Sequence, residues 1–463
     1  MVAIPLLSGV AATEQAENIQ TYPLNLEPVA INSNISRGQL RPTSGSIALG
    51  TGPGVDRGGI TWNDQHFRVM GTKLVRIDAS NTLTIIGDVG GEGPARLDYS
   101  FDRLGIRSGT ALWLYDLTTL AQVTDADLGA VVDAMWIAGY WMSTDGTSVV
   151  VTELTDPFQI LPLKYGSAEE DPDKVTGLIK ARGEAYVLNR HTIQVFRNVG
   201  GSGFPFQTIP GATIPVGCIG ADAKCLFAGS FAFVGSARNE ALGVYVAGQG
   251  SAAKISTRTI DDALRDVEDC GCVHLEARTY RDEERLFVHL PTESWVYLKS
   301  ASQTVGQPVW YRARSGTGQP YRVRNAVLAY GRAYVGDHAS SGFGLLSEDV
   351  SSHFGDKVEW GFDAGLVYNE GKGALVHSIE LIGLPGRIPP EDEATVFLSM
   401  TRDGQTFSVE RAISMGRAGD RRKRLQWRPH SRFTNYLGLR FRGYNRAMPG
   451  FAKIEADLRP LAA

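Results

Sequence analysis

Four cysteines and eight histidines among 463 residues leave little material for thiol or metal chemistry. Cys218 and Cys225 are separated by six residues, and Cys270 and Cys272 by one. Structural zinc sites favour two to four residues within each ligand pair, so this spacing argues against one. Four free thiols in a reducing compartment are the expectation. The histidines (His66, His191, His274, His289, His338, His353, His377, His430) are scattered, with no two at ligand spacing on one element. Also missing is any run near the ~18 apolar residues of a membrane span. No basic residue precedes Arg37, so the apolar start Met1–Leu7 lacks the charged beginning of a secretory signal. The chain is expected to be soluble and made in the cytoplasm, with no membrane span, cofactor or metal.

The chain lacks a net positive charge. The formal net charge is −4, which argues against a general nucleic-acid binder. Its distribution is uneven. Arg417, Arg421, Arg422, Lys423, Arg424, Arg428, Arg432, Arg440, Arg442 and Arg446 lie within one stretch whose only acid is Asp420. Arginines that alternate outward along exposed strands, as in Leu439-Arg440-Phe441-Arg442, would produce such a run. The sharper reading is an electrostatic contact with an acidic partner or with nucleic acid, and Arg421, Arg422, Lys423 and Arg424 are its candidate residues. The glycine-rich stretches Gly90–Gly93 and Gly200–Gly203 lack the Lys-Ser/Thr of a phosphate loop and open no helix.

What the chain does have is glycine, 53 residues of it, spread among short apolar strands. A hairpin unit recurs from about residue 67 to 346: strand, small turn, strand. Phe67–Met70 turns at Gly71-Thr72 into Leu74–Ile77. Leu104–Ile106, Trp141-Met142 and Tyr186–Leu188 begin similar units, as do Phe231–Val234, Leu286–Leu290 and Ala333–Val335. Anchored on Val69, Ile106, Met142, Val187, Val234, Val288 and Val335, the spacings are 37, 36, 45, 47, 54 and 47 residues. A repeat of ~40–50 residues with room for four short strands is the size of one β-propeller blade. The anchors are expected on equivalent strands of successive blades. The fold class is all-β, with a six- or seven-bladed β-propeller.

Residues 1–50 are polar and punctuated by Pro23, Pro28 and Pro42, and read as an N-terminal extended arm. Residues 51–355 carry the propeller and one inserted helix, Ile260–Asp269. Thr259 is positioned to cap that helix, and Ile260, Ala263, Leu264 and Val267 share one face. Residues 356–463 change to longer alternating strands joined by Gly- and Asp-rich turns, a C-terminal β-sandwich.

Catalytic constellations do not converge. His289, inside an apolar strand, reads as a hydrogen-bonded core histidine. Ser143–Thr147 and Thr401–Phe407 resemble Asp-box turns, in which the Asp closes a hairpin by accepting local backbone N–H bonds. A propeller glycosidase acting on surface polysaccharide, and a peptide-binding propeller scaffold, are the alternatives kept open by fold alone.

The order of fragments along the chain carries a more specific signal. Tyr22–Asn25 and Arg68–Leu74 come first, then Gly177–Ile179 with Thr192–Phe196, and Gly220–Val234. Glu284–Pro291, Pro308–Tyr311, Asp349–Gly355, Leu398–Gly404 and the basic stretch before Leu437–Arg440 follow. Taken together these resemble the tail-hub, or packaged-DNA-stabilization, proteins of short-tailed bacteriophages of the tailspike-and-needle type. The resemblance implies a non-enzymatic virion protein of the viral tail, assembled in the host cytoplasm. It also implies a homo-oligomeric, hexameric ring below the portal adaptor protein that holds tailspikes and receives the tail needle. Packaged DNA would pass through that ring without sequence-specific binding. No catalytic, cofactor or metal residue carries over.

Overall fold

The computed structural model describes residues 1–12, 18–32, 37–166, 173–201, 203–280 and 283–461. Packing divides the chain into two units. One comprises Ala48–Pro291 and Arg322–Leu345; the other comprises Met1–Ile47, Thr292–Tyr321 and Leu346–Ala463.

The first unit is built of antiparallel meanders in chain order. Sheet one runs Asp56–Trp62, Gln65–Met70, Lys73–Ile77, Leu83–Asp88; sheet two runs Arg96–Tyr99, Leu104–Ser108, Ala111–Tyr115, Leu120–Gln122. Sheets three and four begin at Asp133–Ile137 and Val175–Ala181, and the fifth holds Lys224–Phe227, Ser230–Ser236, Gly243–Ala247 and Ala252–Lys254. The sixth module enters this unit as the hairpin His274–Tyr280 and Glu283–His289. In the seventh, Val323–Ala329, Arg332–Asp337 and Gly342–Ser347 are completed by Gly45–Thr51 from near the start of the chain. That pairing ties the early chain into the last sheet and closes the ring, leaving only short outer edges. The module count left open between six and seven is therefore seven.

Val69, Ile106, Met142, Val187, Val234, Val288 and Val335 all fall on the second strand of successive modules, and all are buried. Their neighbours pack sheet against sheet. Phe67 and Leu74 meet Leu104 and Tyr115; Leu112 and Leu114 meet Trp141; Met142 and Val151 meet Val187 and Phe196. Met70 and Ile77 of the first sheet meet Tyr334 and Phe343 of the seventh. Many first-to-second-strand connections are two-residue turns with both φ angles positive: Asn63-Asp64 (49°, 55°), Ala138-Gly139 (51°, 95°), Arg182-Gly183 (54°, 80°), Ala228-Gly229 (55°, 71°) and Tyr330-Gly331 (51°, 71°). Such turns match the right-handed twist of the strands they join.

The longest spacing, between Val234 and Val288, is occupied by helix α1 (Arg258–Arg265), which buries Ile260 and Leu264. It is shorter than the Ile260–Asp269 segment expected. Thr257, not Thr259, occupies the cap position, and Asp269 instead starts a 3-10 turn by accepting the Gly271 N–H at 2.8 Å.

The second unit is a sandwich. One sheet orders Leu425–Trp427, Ala374–Gly383, Phe451–Pro460, Arg37–Pro42 and Leu26–Asn32; the other orders Val358–Leu366, Leu437–Asn445, Thr395–Thr401 and Arg411–Ser414. Trp360, Phe362, Ile379, Leu398, Trp427, Phe441, Phe451 and Ile454 fill the space between them. The N-terminal residues expected as an extended arm belong to this sandwich. Val2–Ile4 pairs in register with Ile454–Ala456, and Ile4, Leu26 and Leu40 lie in the shared core. Asn25, at φ 49°, donates from Nδ2 to the carbonyls of Arg314 (2.9 Å) and Glu359 (2.6 Å). A second helix, α2 (Lys299–Val305), escaped the sequence reading because it is short and polar. It is held by Ser302 Oγ donating to Leu298 O at 2.6 Å and by Gly306 in the left-handed region.

Candidate functional site

Two collections of charge stand out, one in each unit. In the first unit the opening strands of the modules lie side by side in a ring, and acidic residues on them act on the next strand around. Asp98 accepts the Trp136 N–H at 2.8 Å and Lys180 Nζ at 2.7 Å. Asp133 accepts the Leu178 N–H at 2.8 Å and the Lys224 ammonium. Glu276 accepts the N–H groups of Asn325 (2.9 Å) and Ala326 (2.7 Å) as well as Arg278 Nε at 2.7 Å. Asp56 accepts Arg68 Nε and Asn325 Nδ2, each at 2.7 Å. Where blades converge there is no room for a further strand, so carboxylates satisfy backbone donors that no ladder reaches.

Arg96 spans the ring. From the second module it reaches Asp222 (2.9 Å) and the carbonyls of Ala221 (2.8 Å) and Lys224 (2.9 Å) in the fifth, while Arg107 binds the same Asp222 at 3.0 Å. Burial opposes ionisation of Asp222, but Arg96 and Arg107 outweigh it and hold the carboxyl below its ordinary value. Glu276 is likewise held well below, burial being overcome by Arg278 and by hydrogen bonds from His289 and Arg278. Burial dominates at Asp56, whose carboxyl is raised despite Arg68, and at Lys224, whose ammonium is lowered despite Asp133. These groups face one another and the backbone, an arrangement that locks strands together.

His289 is buried in that network, Nε2 lying 3.4 Å from Glu276 Oε2, in keeping with its reading as a core histidine. The two Asp turns are structural as expected. Asp145 Oδ1 accepts the N–H groups of Thr147 and Ser148, both at 2.8 Å, and Asp403 Oδ1 those of Gln405 (2.9 Å) and Thr406 (2.8 Å). All four cysteines carry free thiols, and burial pushes that of Cys225 up to about 12.

The basic stretch lies on the sandwich, where the structure sorts it into two classes. Arg424 makes a bidentate pair with Glu380 (2.8 and 2.6 Å), Arg440 with Asp363 (2.9 and 3.1 Å) and Arg446 with Asp392 (both 2.7 Å). Arg442 pairs with Glu410, and Arg417 lies 3.7 Å from Glu393. Every one of these carboxylates comes from outside the stretch. By contrast Arg421, Arg422 and Lys423 are exposed, and no carboxylate among the described residues pairs with them. Arg421 donates to Pro385 O at 3.1 Å, next to the exposed Leu384. The four candidate residues therefore separate, with Arg424 committed within the sandwich and the other three available.

A family model described as bacteriophage P22 Gp10, beta-propeller, matches residues 2–351, and one described as bacteriophage P22 Gp10, beta-sandwich, matches residues 359–459. The chain is 26% identical over 464 residues to the tail hub protein gp10 of Salmonella phage P22, covering 95% of each. Among solved structures, the N-terminal domain of Nup159 aligns at 12% identity and a TM-score of 0.40, over 69% of this chain and 98% of that one. The Pan2 WD40 domain of Neurospora crassa aligns at 8% identity and a TM-score of 0.42, over 69% and 97%.

Proposed function

Because this chain belongs to the bacteriophage P22 Gp10 family, we propose that it closes the head-to-tail channel of a short-tailed phage over its packaged DNA. It is a structural tail hub of the virion, not an enzyme. In the proposed arrangement six copies form a ring below the portal adaptor, hold the tailspikes at the side and receive the tail needle. Assembly takes place in the host cytoplasm, and DNA later passes through the ring without being read. The observation that carries this reading is the match of both domains, in order, to a tail hub along 95% of its length. The bonded charge inside the propeller supports it physically. With Arg96 and its partners crossing the ring, each propeller is a stiff block, and a channel for DNA belongs between copies.

Arg421, Arg422 and Lys423 are the proposed docking residues, with exposed Leu384 beside them supplying apolar area. The purified subunit should be monomeric or weakly associating and should close into a ring only on the DNA-filled capsid. Reversing the three to glutamate, with Arg424 left in place to keep its Glu380 pair, should weaken docking in a salt-dependent way while thermal melting stays unchanged. Capsids that retain DNA at normal yield with the reversed protein would show these residues to be a solvated face.

A further inference from the structure

At the other end of the same sheet a second group of cations is left without carboxylates. Leu375 pairs in register with Arg432 on one neighbouring strand and with Arg459 on the other, so the three side chains share a face. That face is the outer one, because Ala374 and Val376 on either side of Leu375 are buried in the core. Arg402 joins from the adjoining turn, its Nη2 donating to Ser431 Oγ at 3.3 Å, and Arg411 donates to Arg428 O at 3.5 Å. Arg402, Arg411, Arg428, Arg432 and Arg459 are all exposed, and none pairs with a carboxylate among the described residues. Nearby acids are mostly engaged. Asp403 is bound to two backbone N–H groups, Glu380 to Arg424, Glu455 to Lys453 and Glu410 to Arg442. Asp457, two residues before Arg459, is the exposed acid at the border of the group.

We infer that this end of the sheet contacts the phosphodiester backbone of duplex DNA. Two strand spacings put the Arg432 and Arg459 backbones about 10 Å apart, between the ~6 Å and ~12 Å widths of the duplex grooves. Guanidinium groups so placed can meet phosphates on opposite strands, and their fork geometry suits phosphate oxygens. An acidic protein surface fits less well, since protein interfaces centre on apolar and aromatic anchors and Leu375 is the single apolar side chain in this row. The contact carries no sequence information, because only phosphates are met. It rests on the hub reading for its source of DNA, and adds where on the subunit that DNA is touched.

The test is fluorescence anisotropy of the full-length protein with a random-sequence duplex of about 20 base pairs, between about 50 and 200 mM salt. Engagement of three to five phosphates predicts a log–log slope of about −3 to −5. Replacing Arg402, Arg432 and Arg459 together by glutamine should flatten the slope by about 3, and Arg432→Gln alone by about 1 should the triple variant melt early. The inference is overturned by a wild-type slope near zero, by a triple variant that binds as the wild type does, or by polyglutamate displacing the duplex at equal charge. It is also overturned if Arg421→Glu/Arg422→Glu/Lys423→Glu removes binding and the glutamine set does not. Any of these leaves the hub reading standing, because DNA retention by capsids tests that separately.

Discussion

The Lys224 and Asp133 side chains are each only 3% exposed, and they pair with each other inside the first unit. Removing one partner strands the other. Asp133→Ala leaves a buried ammonium without its counter-charge and the Leu178 N–H without its acceptor, which should cost about 3–5 kcal/mol. Adding Lys224→Met should recover part of that, leaving mainly the unsatisfied N–H at about 1–3 kcal/mol. Urea denaturation of both proteins checks this; equal losses would mean that the charge pair contributes nothing beyond shape. The histidines of the network set a pH dependence. Burial, and then Arg68, lower His66 to about 2; burial, and then Arg96, lower His274 to about 4; burial, and then Arg324, lower His289 well below 6.5. The folded protein thus refuses protons that the unfolded chain accepts below about 6.5. Stability is full above that pH and falls on acidification, by about 1.4 kcal/mol per pH unit for each histidine. The carboxylates Asp222 and Glu276, held low, add losses from the ordinary carboxylate range downward, where the unfolded chain takes up protons that the folded one does not. A urea midpoint that is flat from pH 7 to pH 5 would contradict the assignment of neutral, buried imidazoles.

Between elements, one close approach of one sheet to the next is at Gly105. A methyl group there would lie 2.3 Å from the Trp141 ring, which comes from the following module. Gly105→Ala should therefore lose about 1–3 kcal/mol by overpacking, with Trp141→Phe in the same chain relieving some of it. Calorimetric melting decides; an unchanged transition would show that the two sheets slide apart freely. The second strands were legible in the sequence because burial on both faces demands a continuous apolar run, and Val69 or Val234 sits in just such a run. The first strands were harder to read. They carry the acids and glycines that the crowded ring centre needs, as in Asp56-Arg57-Gly58-Gly59, and so resemble loops. Their signal was available in the dipeptides Ala138-Gly139, Arg182-Gly183, Ala228-Gly229 and Tyr330-Gly331, each suited to a turn with two positive φ angles. The extended character of Tyr22–Asn25 was legible from Pro23, but its place in a sandwich was not, because its partners Arg314 and Glu359 are some three hundred residues away.

For the molecule as a whole, the basic stretch shows how far charge counting goes. Its cations were visible as a run, yet Glu380, Asp363 and Asp392, which neutralise Arg424, Arg440 and Arg446, are brought to them only by the folding of the sandwich. The same holds for the group around Arg432, since Arg459 and Arg402 lie outside the run and join it through register and a turn. Both units also share a habit of closure, in which an early strand is completed by a late one. Gly45–Thr51 finishes the seventh sheet only beside Gly342–Ser347, and Val2–Ile4 finds its place only beside Ile454–Ala456. At a ribosomal pace of about 5–20 residues per second, the first of these strands waits for tens of seconds with its edge unpaired. Neither unit can be completed on a nascent chain that stops short. A host that interrupts translation during infection would accumulate open-edged fragments unable to enter a tail, so that the finished fold is itself a check that the message was read at least as far as Ile454–Ala456.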